Sequence, residues 1–173
     1  APKVTLAFHV QARIGVSDPF DDDHVDIALL SDVVASPHPR ARLYNDRWVV
    51  IADEANEQLA EGVTAAHLWE LPHVVFDAGS YRTTPYAAMD GLGLTRTDRV
   101  RVNDFLLIPH VVQGSDAIAI VQERVARKLM RYLPIRMHEL PLRVAIDATR
   151  QRSQLGGMFN SGGAIRAEGD VRS

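Results

Sequence analysis

The chain has 173 residues and no cysteine, which excludes disulfide scaffolds, thiolate zinc sites and cysteine nucleophiles. Its hydrophobic share of 46% and charged share of 24% suit one ordinary domain or two small lobes with a real core. A net charge of −3 and a pI of about 6.2 leave no global basic field for nucleic acid. No apolar run approaches the ~20 residues that span a bilayer. The start, APKVTLAF, lacks the charged-then-apolar pattern of a signal peptide. A cytoplasmic protein without membrane contact is expected.

Taken in chain order, VTLAFHV (4–10) alternates like a strand. DPFDDDHVD (18–26) gathers aspartates around His24, yet its spacing lacks the Gly and distal Glu of an EF-hand loop. Asp18 before Pro19 reads as a turn, and Asp21, Asp22 and Asp23 suit the first turn of a short helix. VDIALL (25–30) is a continuous apolar run, typical of a strand buried on both faces. RWVVIAD (47–53) and HVVFD (73–77) read the same way, DRVRV (98–102) alternates, and DAIAIV (116–121) is another buried run. IRMHEL (135–140) and LRVAIDA (142–148) follow, separated by Pro141.

Helices are expected between these strands. Thr64 caps AAHLWEL, which must stop before Pro72. Thr83 or Thr84 caps the next, with Pro85 at the first helical position and Gly91 and Gly93 at its end. Asn103 or Asp104 caps FLLIPHVVQ, shortened by Pro109 and ended by Gly114. QERVARKLMRYL sets Val125, Leu129 and Leu133 on one face, with a Glu123–Arg127 pair on its surface. The tail from Gly156 to Ser173 is rich in Gly, Ser and charge and reads as flexible.

Strand and helix alternate from Trp48 to Asp147, which argues for an α/β layered fold with a largely parallel sheet. Ligands in such sheets bind beyond the carboxyl ends of the strands. Here those ends carry Ser31 and Asp32, residues 77–84, Asn103 and Asp104, and Gln122. A nucleophile elbow is excluded, because Asp77-Ala78-Gly79-Ser80-Tyr81 has the wrong glycine spacing, and no phosphate loop is present. The seven histidines make no metal-type pair. His73 and His110, each beside a proline, read as packed or surface groups, either of which could still meet a ligand carboxylate. Trp48 and Trp69 read as core or interface aromatics, and Phe105 as a core residue or a wall facing a ligand.

The ordered set of VDIALL, L-x-x-D-R-W-V-V, LPHVV, GLGL, V-x-x-F-L-x-x-P-x-V-x-G-S-D-x-I-A and Q-E-R-V-A resembles the effector-binding domain of LysR-type transcriptional regulators. The likeness is greatest to the nodulation-regulator-like branch and covers roughly residues 4–148. It implies an α/β fold like type 2 periplasmic binding proteins, two lobes joined by two crossover strands. Lobe I would be residues 1–48 plus 144–173, in part, and lobe II residues 49–143. A small organic acid, aromatic acids included, would sit between them and be coupled to DNA-binding geometry in the intact protein. Carried over position by position, the effector site would take Ser31, Asp32, Asp77, Gly79, Ser80, Thr83, Asn103, Asp104, Phe105 and Gln122. The Thr83 and Asn103 helix starts suit a carboxylate; Asp32, Asp77 and Asp104 oppose one unless turned away.

The resemblance also implies a dimer or tetramer, no cofactor, no metal and no catalysis. The winged helix-turn-helix that contacts DNA is absent from this sequence, so the chain alone is not expected to bind DNA. The first strand and helix of lobe I and the usual C-terminal motif are missing as well. A stand-alone solute-binding protein of the same fold, and an enzyme reusing it, stay open as alternatives.

Overall fold

In WVVIAD every position from Val49 to Ala52 is apolar, so a strand here must be covered on both faces. The computed structural model, which describes residues 5–8, 18, 20, 25–31, 36–77, 79, 82–91, 95–141 and 163–165, shows how that cover is supplied. The elements are β1 (Leu29–Ser31), β2 (Ala41–Arg42), β3 (Trp48–Asp53), α1 (His67–Glu70), β4 (Pro72–Phe76), α2 (Thr84–Gly91) and β5 (Thr97–Val102). They continue with α3 (Ile108–Val112), β6 (Ile118–Gln122), α4 (Glu123–Leu129), β7 (Ile135–Glu139) and β8 (Gly163–Ile165). Short 3-10 turns at Glu57–Leu59 and Phe105–Leu107 precede α1 and α3.

Five strands form one sheet in the order β5-β4-β6-β3-β7. β4 runs parallel to β5 and β6, whereas β3 is antiparallel to both its neighbours, β6 and β7. The sheet is therefore mixed rather than largely parallel. Strands linked through a helix (β4–α2–β5, β5–α3–β6, β6–α4–β7) share one direction, as crossover connections require. β3 precedes that series and slots between β6 and β7 in the opposite sense.

The helices divide between the faces. Val50 and Ala52 of β3 pack with Leu68 of α1 and with Tyr86 and Met89 of α2. Val49 and Ile51 pack on the other face with Ile108 and Val112 of α3 and Ala126 of α4. This is the period-2 alternation of a strand serving two cores. Trp48 and Trp69 lie half-buried against the first core, in keeping with their reading as packing aromatics.

β4 and β6 are joined by one bridge, His73 opposite Ile118. Beyond it the Tyr86 hydroxyl takes over. It accepts the Ile120 N–H at 3.1 Å and lies 3.0 Å from His73 Nδ1, with the Val74 carbonyl at 3.4 Å. The Leu68 carbonyl, 3.0 Å from His73 Nε2, can only accept. The imidazole is therefore protonated on Nε2, and Nδ1 receives the Tyr86 proton. One phenol and one imidazole thus tie α1, β4, α2 and β6 together through buried hydrogen bonds. The Arg96 guanidinium stacks 4.8 Å from the Tyr86 ring centre and pairs with Asp98 at 2.8 Å, adding β5 to the set.

The second sheet has the order β1-β8-β2, all antiparallel. VDIALL contributes only its end: Leu29 and Leu30 are in β1, and while Ala28 is buried, Ile27 and Leu29 are 54% and 59% exposed. The expected two-sided burial is not realised, because no described element covers Leu29. Thr5–Phe8 is likewise no strand; Leu6 and Phe8 are exposed, and no described strand runs beside them. The expected helix through Leu133 ends at Leu129 and tightens into turns, since Pro134 disfavours helix at the residue before it. Within the tail, Gly163–Ile165 is a strand. Residues 21–24, the LRVAIDA segment and the rest of the tail lie outside the described residues.

Tyr86→Phe deletes the hydroxyl and leaves the Ile120 N–H and His73 Nδ1 buried without partners. We expect a loss of about 2–3 kcal/mol in urea unfolding, against less than ~0.5 kcal/mol if the hydroxyl were incidental.

Candidate functional site

β4 hands its chain to α2 on one face of the sheet, whereas β5 and β6 hand theirs to α3 and α4 on the other. The loops leaving β4 and β6 therefore diverge to opposite faces of the sheet, and such a switch point, beyond the carboxyl ends of the strands, is where open α/β sheets bind ligands. Asp77, Gly79, Thr83, Asn103, Asp104, Phe105 and Gln122 all belong to segments at this edge. Ser31 ends β1 on the small sheet. Asp32 and Ser80 lie outside the described residues.

The Asp77 N–H donates to the Val102 carbonyl at 2.7 Å and carries the β4–β5 ladder one residue further. Its Oδ1 accepts from the Gly79 N–H at 3.0 Å and from Arg82 Nη1 at 3.3 Å; Oδ2 faces Arg101 Nη1 at 3.5 Å. Gly79 has φ +74°, a conformation that a side chain disfavours, and this turns the loop back over the carboxylate. Asp77 is thus turned onto its own loop and two guanidinium groups, not outward.

Thr83 is 3% exposed. Its carbonyl accepts the first helical hydrogen bond, from the Ala87 N–H at 2.9 Å, so Thr83 occupies the cap position of α2 and Pro85 is the second helical residue rather than the first, a position that also needs no intrahelical N–H donor. Its hydroxyl does not perform the expected capping: Oγ1 is buried with no hydrogen-bond partner. A buried, unpaired hydroxyl at the mouth of a helix is costly unless something else satisfies it.

After β5, Asn103 is exposed and Asp104, not Asn103, is the cap, its carboxylate accepting the Leu106 N–H at 2.9 Å. The Phe105 ring packs edge-on against Phe76, centroids 5.8 Å apart, on the side of the second core. Gln122 ends β6 opposite Trp48 and makes no capping hydrogen bond to α4. Beside it Arg47 binds Glu123 with two nitrogens (Nε–Oε2 2.7 Å, Nη2–Oε1 3.0 Å) and shares its Nη1 between both Glu139 oxygens (2.8 and 2.6 Å), and Arg127 also holds Glu123 at 2.6 Å. Hydrogen bonds from Arg47 and then Arg127 draw the Glu123 carboxyl down to about 2, and Glu123 and Glu139 raise Arg47 above the ordinary arginine range.

His73 does not reach this edge. It is fully buried, and burial pushes its imidazole down to about 4 from the usual 6.5. His110 is exposed on α3. Among the described residues, no three His, Asp or Glu side chains converge as a metal site would require. Sequence reasoning missed Arg82, Arg101, Arg47 and Glu139. The alternation in DRVRV put Arg101 on a defined face, but the contacts of Arg47 with Glu123 and Glu139 span 76 and 92 residues and left no local trace.

A mixed sheet with helices on both faces and polar loops gathered at its switch point defines an α/β layered domain. Residues 1–156 match the LysR substrate binding domain, and the chain belongs to that family. It is 28% identical over 156 residues to Nodulation protein D 1 of Rhizobium leguminosarum bv. phaseoli, a match covering 86% of this chain and 49% of that protein. The chain thus spans about half the length of that relative. Its fold is similar to the crystal structure of a probable transcriptional regulator from Pseudomonas aeruginosa, with TM-score 0.64, 17% identity, and coverage of 83% of this chain and 45% of that one. It is also similar to the effector binding domain of QuiR in complex with shikimate, with TM-score 0.58, 12% identity, and coverage of 87% and 65%. The domain is a LysR-type effector-binding domain, and its relatives are transcriptional regulators.

The neutral state of buried His73 makes stability depend on pH. In the unfolded chain the imidazole gains a proton below about 6.5, whereas in the fold it resists protonation to about 4. Stability therefore falls as the pH drops through this window, by about 2 kcal/mol between pH 7 and pH 5. His138, also depressed by burial, acts in the same direction. Urea titrations at pH 7, 6 and 5 measure this; a chain as stable at pH 5 as at pH 7 would contradict it.

Proposed function

We propose that the crevice between the carboxyl ends of β4 and β6 holds a small organic acid, and that its occupancy is coupled to DNA-binding geometry in the intact regulator. The observation that carries this reading is the buried Thr83 hydroxyl, unpaired at the start of α2 within the switch-point loop. A ligand oxygen in the crevice would satisfy it. Asp77, Gly79, Asn103, Asp104 and Gln122 belong to segments at the same rim, and the reading adds Ser31, Asp32 and Ser80 from the sequence alone. Phe105 supports the wall from behind through Phe76. The division into lobe I (1–48 plus 144–173) and lobe II (49–143) is supported by the five-stranded sheet being built wholly from Trp48 to Glu139.

The reading assigns the site neither a cofactor nor catalysis; among the described residues its acids are engaged by arginines and backbone N–H groups. The bound shikimate of QuiR, a hydroxylated acid, agrees with an acid as the ligand class. Signalling then follows population shift, the acid favouring one arrangement of lobes or subunits over another. The working protein is a cytoplasmic dimer or tetramer that contacts DNA through an N-terminal winged helix-turn-helix. No helix among the described residues is long and apolar enough to cross a membrane.

A thermal-shift and calorimetric screen of shikimate, benzoate, salicylate and 4-hydroxybenzoate should show at least one that raises the melting temperature. Thr83→Val should weaken that acid about tenfold, as expected for the loss of one ligand hydrogen bond. The ligand-free melting temperature should hold or rise, because an unpaired buried hydroxyl is removed. No shift with any acid would count against the reading.

A further inference from the structure

We propose that residues 44–47 form a clamp that fastens the linker from the small sheet to the start of α4, with Arg47 as its positioning residue, so that binding in the crevice and movement of the small sheet are communicated through one helix start. This rests on the reading that Gln122 belongs to the effector crevice, and adds the route by which occupancy there reaches the other lobe.

Arg47 precedes β3, and Glu123 is the first residue of α4. The β3–β6 ladder pairs Trp48 with Gln122, and the Glu123 N–H donates to the Arg47 carbonyl at 2.8 Å, which carries the ladder one residue further, into the helix. The side chains repeat this backbone pairing. Arg47 Nε and Nη2 meet Glu123 Oε2 and Oε1 at 2.7 and 3.0 Å, the parallel two-bond contact for which a guanidinium is shaped. The third nitrogen, Nη1, lies between the two oxygens of Glu139, the last residue of β7. All three guanidinium nitrogens are thus engaged. They hold together the chain entering the five-stranded sheet, the chain leaving it, and α4.

The residues before Arg47 extend the contact. Gln122 makes no side-chain cap for α4. Asp46 supplies an acceptor instead: its Oδ1 accepts the Arg47 N–H at 2.9 Å and the Arg124 N–H at 3.4 Å. The Arg124 guanidinium lies 4.6 Å from the Tyr44 ring centre. The first N–H groups of a helix have no partner within it, so acceptors from outside fix the helix start to whatever carries them. Here the carrier is the linker. Only Leu43 separates Tyr44 from the end of β2 at Arg42. A displacement of the small sheet therefore reaches α4 and Gln122 across a single residue, and coupling of this kind acts equally in both directions. Exposed ion pairs typically contribute little to global stability, so the clamp can set geometry without deciding whether the domain folds.

Backbone amide spectra read the clamp. During titration of the wild-type chain with the tightest-binding of the four acids, the amides of Leu43, Tyr44 and Asn45 should shift together with those of Gly79 and Thr83. In Arg47→Met, and separately in Asp46→Ala, the crevice amides should still shift while the linker amides stay still, with ligand-free melting temperatures within a few degrees of wild type. Glu139→Gln, which leaves the Arg47–Glu123 contact in place, should keep the linker response. Linker amides that follow the acid as far in Arg47→Met and Asp46→Ala as in wild type overturn the clamp and leave the acid-binding reading in place. So do linker amides that are silent in wild type while the crevice responds. If none of the four acids binds, the acid-binding reading falls, and with it the crevice end of the route. Hydrogen exchange then decides the clamp itself: the Glu123 amide in Arg47→Met and the Arg124 amide in Asp46→Ala should exchange at least tenfold faster than in wild type, and unchanged rates overturn it.

Discussion

The Tyr86 hydroxyl is the contact on which the arrangement of this domain depends. It sits where a parallel ladder between β4 and β6 would otherwise continue, accepting from Ile120 and donating to His73. A hydroxyl can stand in for a missing strand bond because it both donates and accepts. The consequence is mechanical as well as energetic. Two neighbouring strands are kept in one sheet while their carboxyl ends are free to part, and the loops to α2 and α4 leave on opposite faces. A continuous ladder would bring those ends together and narrow the crevice; an unsatisfied gap would destabilise the sheet.

The charges at the carboxyl edge obey a common rule. Each described carboxylate there is answered from within the protein: Asp77 by Gly79, Arg82 and Arg101, Asp104 by a backbone N–H, and Glu123 and Glu139 by Arg47. An acidic chain with a net charge of −3 can in this way present an edge that does not repel an organic acid. The Arg47 knot has a second consequence. It joins the entry to β3, the exit of β7 and the start of α4, all at the edge where the chain leaves the five-stranded sheet. A change in the crevice beside Gln122 is therefore one residue away from the contacts that fix how the chain enters and leaves this sheet.

Much of this was readable from the residues in order. The buried runs WVVIAD, HVVF and AIAIV are strands because three to five consecutive apolar residues, β-branched at their centres and bounded by turns, allow little else, and the alternation of DRVRV suits the place of β5 at the sheet edge. The ordered motifs pointed to the family that residues 1–156 match. The direction of β3 was not readable, because strand direction is set by connections and β3 has no helix crossing to its sheet neighbours. VDIALL misled because hydrophobicity reports a preference for burial, not whether a covering element is present at Leu29. The start of α2 was narrowed to Thr83 or Thr84 and the structure selects Thr83, but the sequence could not show that its hydroxyl would be left unpaired. The arginines of the site escaped notice because, the local pairs Arg82–Asp77 and Arg101–Asp98 apart, their carboxylate partners belong to other strands and helices, and long-range ion pairs have no local signature.

The central claim is that the ligand is read at the parted ends of β4 and β6. Amide chemical-shift mapping during titration with shikimate or the tightest of the aromatic acids tests it most directly. The account predicts that the largest changes fall on Gly79, Thr83, Thr84, Asn103 and Glu123, with the opposite edge at Asp53 and Gly114 unmoved. Saturable changes centred on Asp53 and Gly114, with the carboxyl edge silent, would contradict it.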